Sequence, residues 1–163
     1  MKLEQTNRII IKIGSALLFN ETSGSLNKEW LNSLAEDVKY LRENDKEVII
    51  VSSGAIAMGA KDLDLDMKNM KMDMNQAVSA VGQIHLMGSF KSAFEKNEIK
   101  ISQILLTLDD TEQRRRSINA RRTIDTLLKL GIVPVVNEND TIATSEIRSV
   151  SYTHLTLPTT MLV

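Results

Sequence analysis

The sequence predicts an α/β domain in which strands and helices alternate around a mainly parallel sheet covered on both faces. Three observations carry this. Residues 48–51 read VIIV, four β-branched apolar residues with no polar alternation, which fits a parallel strand buried on both sides better than a half-exposed one. Comparable apolar runs begin near Arg8, Ile99 and Ile132, and stretches of helical length separate them. The runs end in polar or glycine-containing turns, Gly14-Ser15, Ser52-Ser53-Gly54 and Asn137-Glu138-Asn139-Asp140, at the strand ends where an α/β sheet places ligand groups.

Composition sets the outer bounds. A chain of 163 residues with 42% hydrophobic content can bury a core and makes one domain or part of one. Its 20 basic and 21 acidic residues nearly cancel, so no global field argues for nucleic acid or an anionic membrane. With no cysteine, disulfides, thiolate nucleophiles and cysteine metal sites are excluded, in keeping with a reducing, cytoplasmic setting. The first apolar run is interrupted by Lys12, and no run approaches the ~20 apolar residues of a membrane span. A soluble protein without a signal peptide is expected.

Residues 8–13 read as the first strand, ending in Lys12-Ile13-Gly14-Ser15, a cation and a glycine turn on the ligand side. A merely solvated lysine is the plainer alternative. After a loop at 20–26, Asn27 is a good N-cap, and Trp30, Leu31, Leu34, Ala35, Val38 and Leu41 form one apolar stripe. This crossover helix leads into the strand at 48–51 and completes a βαβ unit. Beyond that strand, Ser52, Ser53 and Gly54 allow a tight turn whose following helix offers free N–H groups to an anion. Gly54, Gly59 and Lys61 nearly form the G-x-x-x-x-G-K-[ST] phosphate loop, but the lysine comes one residue late, a rotation of about 100° on a helix. The phosphate-loop reading is rejected.

Residues 62–74, dense in Lys, Asp and Met, read as a loop or short helix, and 75–96 as a long helix. Gly82 and Gly88 suggest close packing on that helix, and His85 has no second ligand near it in sequence. Residues 99–108 are the third strand, with a cap over 107–111. The next helix opens with Arg114, Arg115 and Arg116, continues through Arg121 and Arg122, and lacks the aromatic neighbours of a nucleic-acid surface. Its expected buried side is Ile118, Ile124, Leu127, Leu128 and Leu130, and Gly131 ends it. Residues 132–136 are the fourth strand, in which Pro134 suggests a sheet edge or a distorted point.

The loop after this strand brings two carboxylates and two amides, Asn137, Glu138, Asn139 and Asp140, to a ligand-side position. Facing the Ser53–Gly54 turn, it would make a pocket with one negative and one positive pole, suited to a zwitterion. Ordinary Asn and Asp turn chemistry accounts for the loop equally well.

IIIKIGS at 9–15, VSSGAIAMG at 51–59 and PVVNENDTIATSEI at 134–147 resemble the N-terminal half of the glutamate 5-kinase family, within the amino acid kinase superfamily. AVGQIHLM at 80–87 and SINARRTIDTLL at 117–128 agree, so the resemblance covers about residues 8–148. It implies a three-layer αβα sandwich and phosphorylation of the side-chain carboxylate of L-glutamate, with ATP and Mg2+ as cofactors, as the first step of proline synthesis. It implies a homo-oligomer when full length; the balanced charge and the lack of a long apolar run argue for no nucleic-acid or membrane partner. Carried onto this sequence, Lys12 is the catalytic lysine beside the transferred phosphoryl group, with Gly14 and Ser15 forming its turn on the nucleotide side. Ser53, Gly54, Ala55 and Asp140 are substrate-binding residues, with Asn137 and Asn139 as helpers; no residue here is assigned to a metal. A relative acting on N-acetylglutamate or aspartate, or a non-catalytic binding module, are the competing readings.

Past Arg148 the family would continue with a glycine and a short Asp/Asn cluster completing the glutamate site, followed by the nucleotide-binding half of the domain. Here residues 149–163 read SVSYTHLTLPTTMLV, without one Asp, Glu, Lys or Arg. The expected organisation is therefore a truncated kinase domain, with residues 1–148 its N-terminal, glutamate-binding part and 149–163 a non-native tail; an edge strand or dimer contact is the alternative for the tail.

Overall fold

The computed structural model describes residues 6–20, 25–68 and 70–142, and the backbone of Met161–Leu162. Strand β1 (Arg8–Ile13) is followed by the short helix α1 (Ser15–Leu18), helix α2 (Lys28–Glu43) and strand β2 (Glu47–Ser52). Helices α3 (Ala55–Asp62) and α4 (Met72–Glu95) then lead to β3 (Ile101–Leu106). The series ends with α5 (Leu108–Glu112), α6 (Arg114–Lys129), β4 (Val133–Glu138) and β5 (Met161–Leu162). The strands lie in the order β3-β4-β2-β1-β5, and every pairing is parallel. All their C-terminal ends therefore share one edge of the sheet.

Alternation along each strand divides the core in two. Ile13, Val48, Ile50, Val133 and Val135 face Leu31, Leu34 and Val38 of α2 and Leu86, Phe90 and Phe94 of α4. On the other face, Ile10, Ile49, Val51, Leu106 and Val136 pack against Ile124 of α6. The result is the expected αβα sandwich. Residues 48–51 are buried throughout, as a two-sided strand requires.

The local signals act as the residue types dictate. Asn27 Oδ1 accepts from the Trp30 amide at the start of α2. Thr107 and Asp110 form a reciprocal capping box before α5. Gly131, at φ 71°, closes α6: its N–H donates to the Leu128 carbonyl and that of Ile132 to the Leu127 carbonyl.

Several expectations are corrected. Pro134 lies in an interior strand, because β4 runs between β3 and β2. The Val133 N–H donates to Lys100 on the β3 side, so Pro134 turns its missing donor toward β2, where the register begins only at Ile50↔Val135. Ile118 of α6 and Leu130 just after it are exposed, so the buried stripe of that helix is narrower than its apolar spacing suggests. Gly82 does mark a close approach, whereas a side chain at Gly88 would meet open space. Residues 143–160 lie outside the described part, and with them most of the stretch read as a tail.

Candidate functional site

β2 lies between β1 and β4, so the turns that follow these three strands stand side by side on one sheet edge. The β2 turn depends on Gly54, whose φ of 103° is a left-handed conformation that a side chain disfavours. A Cβ there would also come within 2.9 Å of the Phe19 ring. Ser53, half-buried, donates from Oγ to the Ile13 carbonyl at 3.2 Å, tying the β2 turn to the end of β1. Ala55 begins α3 and is buried. Gly14 has ordinary extended backbone and open space beside it, so its turn does not require a glycine.

The β4 loop is held from α4. Asp140 is 8% exposed, and its Oδ2 accepts from Ser79 Oγ at 2.8 Å. Asn137, also buried, donates from Nδ2 to Gln83 Oε1 at 2.7 Å, while its own Oδ1 accepts from the Glu138 amide. That second bond fixes which end of the Asn137 amide faces Gln83. Gln83 must then present its oxygen, and its buried Nε2 is left without a partner among the described residues. Asn139 is half-buried, and its amide donates to the Leu106 carbonyl.

Electrostatics separate Asp140 from an ordinary surface carboxylate. Burial pushes its pKa up, the Ser79 hydrogen bond partly offsets this, and the nearby Glu138 charge adds to the rise. A cation placed against it would restore the charged form, so the site favours a ligand that brings one.

The structure groups the sequence candidates unequally. Asn137 and Asp140 converge on α4, and Ser53, Gly54 and Ala55 lie at the end of the adjoining strand. Lys12 is exposed and sits on the Ile10 side of the sheet, the α6 face, whereas Asn137 shares the Val135 side with α4. Lys12 and Asn137 therefore lie on opposite faces of the sheet. Ser15 opens onto a cleft of about 650 Å³ between α1 and α3, lined also by Ala57, Lys61, Asp64 and Asp66. Ser79 and Gln83 were not among the sequence candidates. Their signal was a polar pair at i and i+4, masked because α4 carries other polar residues, such as Gln76, His85 and Ser89, along its length.

Parallel strands under helices on both faces, with polar turns gathered at the C-terminal edge, make the kind of sheet edge where α/β folds place ligand groups. Residues 7–154 match the amino acid kinase family, and the chain belongs to that family. Among curated proteins it is similar to the glutamate 5-kinase of Pelagibacter ubique, 57% identical over 148 residues, covering 91% of this chain and 40% of that protein. It is 52% identical to the glutamate 5-kinase of Ruegeria sp. over 146 residues, again covering 40% of the relative. The chain thus spans about 40% of the length of these relatives. Among solved structures, T. acidophilum isopentenyl phosphate kinase superposes with a TM-score of 0.56 at 15% identity, covering 79% of this chain and 54% of that one. That likeness concerns the fold.

Proposed function

We propose that this chain supplies the substrate side of a glutamate 5-kinase, which transfers the terminal phosphoryl group of ATP to the side-chain carboxylate of L-glutamate. The observation that carries the reading is the buried Asp140 carboxylate at the end of the strand next to the one that leads into Ser53. Together these turns form an acidic pole and an N–H-rich pole across two neighbouring strand ends. The ammonium group of L-glutamate matches the acidic pole, and a carboxylate matches the Ser53–Ala55 turn at the start of α3.

ATP supplies the transferable phosphoryl group when bound. Lys12, exposed one residue before the end of β1, fits its phosphate side, and the open space at Gly14 leaves the backbone approachable there. A fixed cation in that position offsets the negative charge that develops on the transferring group. Mg2+ would act with the nucleotide phosphates. The nucleotide-binding elements are assigned to the part of the relatives that lies beyond this chain. The 163-residue chain is accordingly expected to lack turnover, because phosphoryl transfer depends on positioning both substrates. Residues 149–163 belong, in this reading, to a non-native tail. A cytoplasmic homo-oligomer is proposed for the full-length protein; no helix among the described residues is long and apolar enough to cross a membrane.

The test is a substrate panel on a restored chain, in which residues 1–148 are continued with the C-terminal portion of the Pelagibacter ubique relative. ADP release dependent on L-glutamate supports the reading. Release with N-acetylglutamate or aspartate in its place would assign the chain to another branch of the family.

A further inference from the structure

One turn of α4, residues 78–83, touches both poles of the candidate site. Ser79 and Gln83, at i and i+4, lie on the face that meets β4 and hold Asp140 and Asn137. Val78 and Gly82, the adjacent i and i+4 pair, lie on the face that meets α3. A Cβ at Gly82 would overlap the Ala55 carbonyl, and one at Gly59 would overlap the Val78 carbonyl. The backbones of the two helices are therefore in direct contact where α3 leaves the Ser53–Gly54 turn. Close contact of this kind leaves no slack for one helix to slide along the other.

We propose that residues 78–83 are the positioning element of the glutamate site, with Ser79 and Gln83 setting the Asp140 loop while Gly82 sets the Ser53–Ala55 turn against it. The proposal rests on the glutamate reading above. Neither Ser79 nor Gln83 needs to touch the substrate. Ser79 aims the Asp140 carboxylate by donating to one of its oxygens, which leaves the other free for an ammonium group. Gln83 fixes Asn137 at the last buried turn of β4, so the chain enters the loop in one direction. The charge acting on Asp140 comes from Glu138 at the end of β4, and the group that α4 brings to it, the Ser79 hydroxyl, is neutral.

The experiment is an L-glutamate titration of the restored chain followed by NMR, run beside a pH titration of the Asp140 carboxyl. The variants are Ser79→Ala and Ser79→Thr. Saturable shifts at Ser53, Gly54 and Asp140 are expected in the unsubstituted chain. Ser79→Ala should weaken the apparent Kd roughly tenfold, the order contributed by one hydrogen bond to a charged group. It should also move the Asp140 midpoint upward, because the donor that favours the carboxylate is gone. Ser79→Thr, which keeps the hydroxyl, should restore both. If Ser79→Ala does not fold, Ser79→Cys replaces it, keeping the volume while weakening the donor. Unchanged affinity and midpoint in the Ser79 variants would overturn the proposal alone. A lack of any response to L-glutamate by the unsubstituted chain would overturn the substrate reading, and the proposal with it.

Discussion

Gly82 of α4 lies so close to the Ala55 carbonyl of α3 that no side chain fits between them. Gly82→Ala should therefore destabilise the fold by about 1–3 kcal/mol or more, since the obstructing atoms are backbone and cannot rotate aside. Gly88→Ala is the matched control on the same helix. It meets open space, so it should stabilise by about 0.5–1 kcal/mol through helix propensity alone. Urea denaturation of the two variants checks the contrast in sign.

Gln83 and Asn137 form a buried amide pair whose loss should cost more than one exposed hydrogen bond. Gln83→Leu leaves the Asn137 Nδ2 donor buried and unpaired, with an expected loss of about 1–3 kcal/mol in denaturant unfolding. The double variant Gln83→Leu/Asn137→Leu should lose less than the sum of the singles, because the stranded donor is also removed.

Asp140 should oppose folding at neutral pH. Its folded pKa is raised, mainly by burial, so the folded state binds the proton more tightly than the unfolded chain does. Its contribution is most favourable below the ordinary aspartate pKa of about 3.9 and is lost as pH rises through the raised folded value. Asp140→Asn should thus stabilise the protein at pH 7, and the gain should shrink as pH falls through that window. Stability measured from pH 3 to pH 8 tests the sign. The same variant should bind L-glutamate more weakly, since the carboxylate for its ammonium group is gone.

Most of the architecture was legible in the residues because local chemistry and tertiary packing agree. Residues 48–51 favour a two-sided strand because no polar residue alternates with them, and Asn27, Thr107 and Gly131 set helix ends through interactions within a few residues of themselves. Pro134 misled because a proline removes a donor on only one side of its strand, and which neighbour that side faces depends on the sheet order. The site divides in the same way. Ser53, Gly54 and Asp140 are visible as strand-end polar residues, but Ser79 and Gln83 acquire meaning only when α4 is laid across β4. Sequence spacing of 54–61 residues separates them from the partners they hold.

In the restored chain, Lys12 and Asp140 should differ in which kinetic constant they control. Lys12→Ala should lower kcat by about 10²-fold with little change in the KM for L-glutamate, as expected for a cation acting on the transferring group. Asp140→Ala should chiefly raise that KM, by about tenfold or more, because it removes a contact made to the bound substrate. Steady-state kinetics over both substrates separates the two roles, and the opposite pattern would exchange them.

Coupled ADP release with L-glutamate and Mg-ATP, measured on the restored chain and on the 163-residue chain under the same conditions, separates the substrate side of the kinase from its nucleotide side. The expected result is glutamate-dependent turnover by the restored chain and none by the shorter one. Turnover by the 163-residue chain at an ordinary kinase rate would place the nucleotide site within these residues, and a restored chain that turns over with another acidic substrate but not with L-glutamate would contradict the substrate assignment.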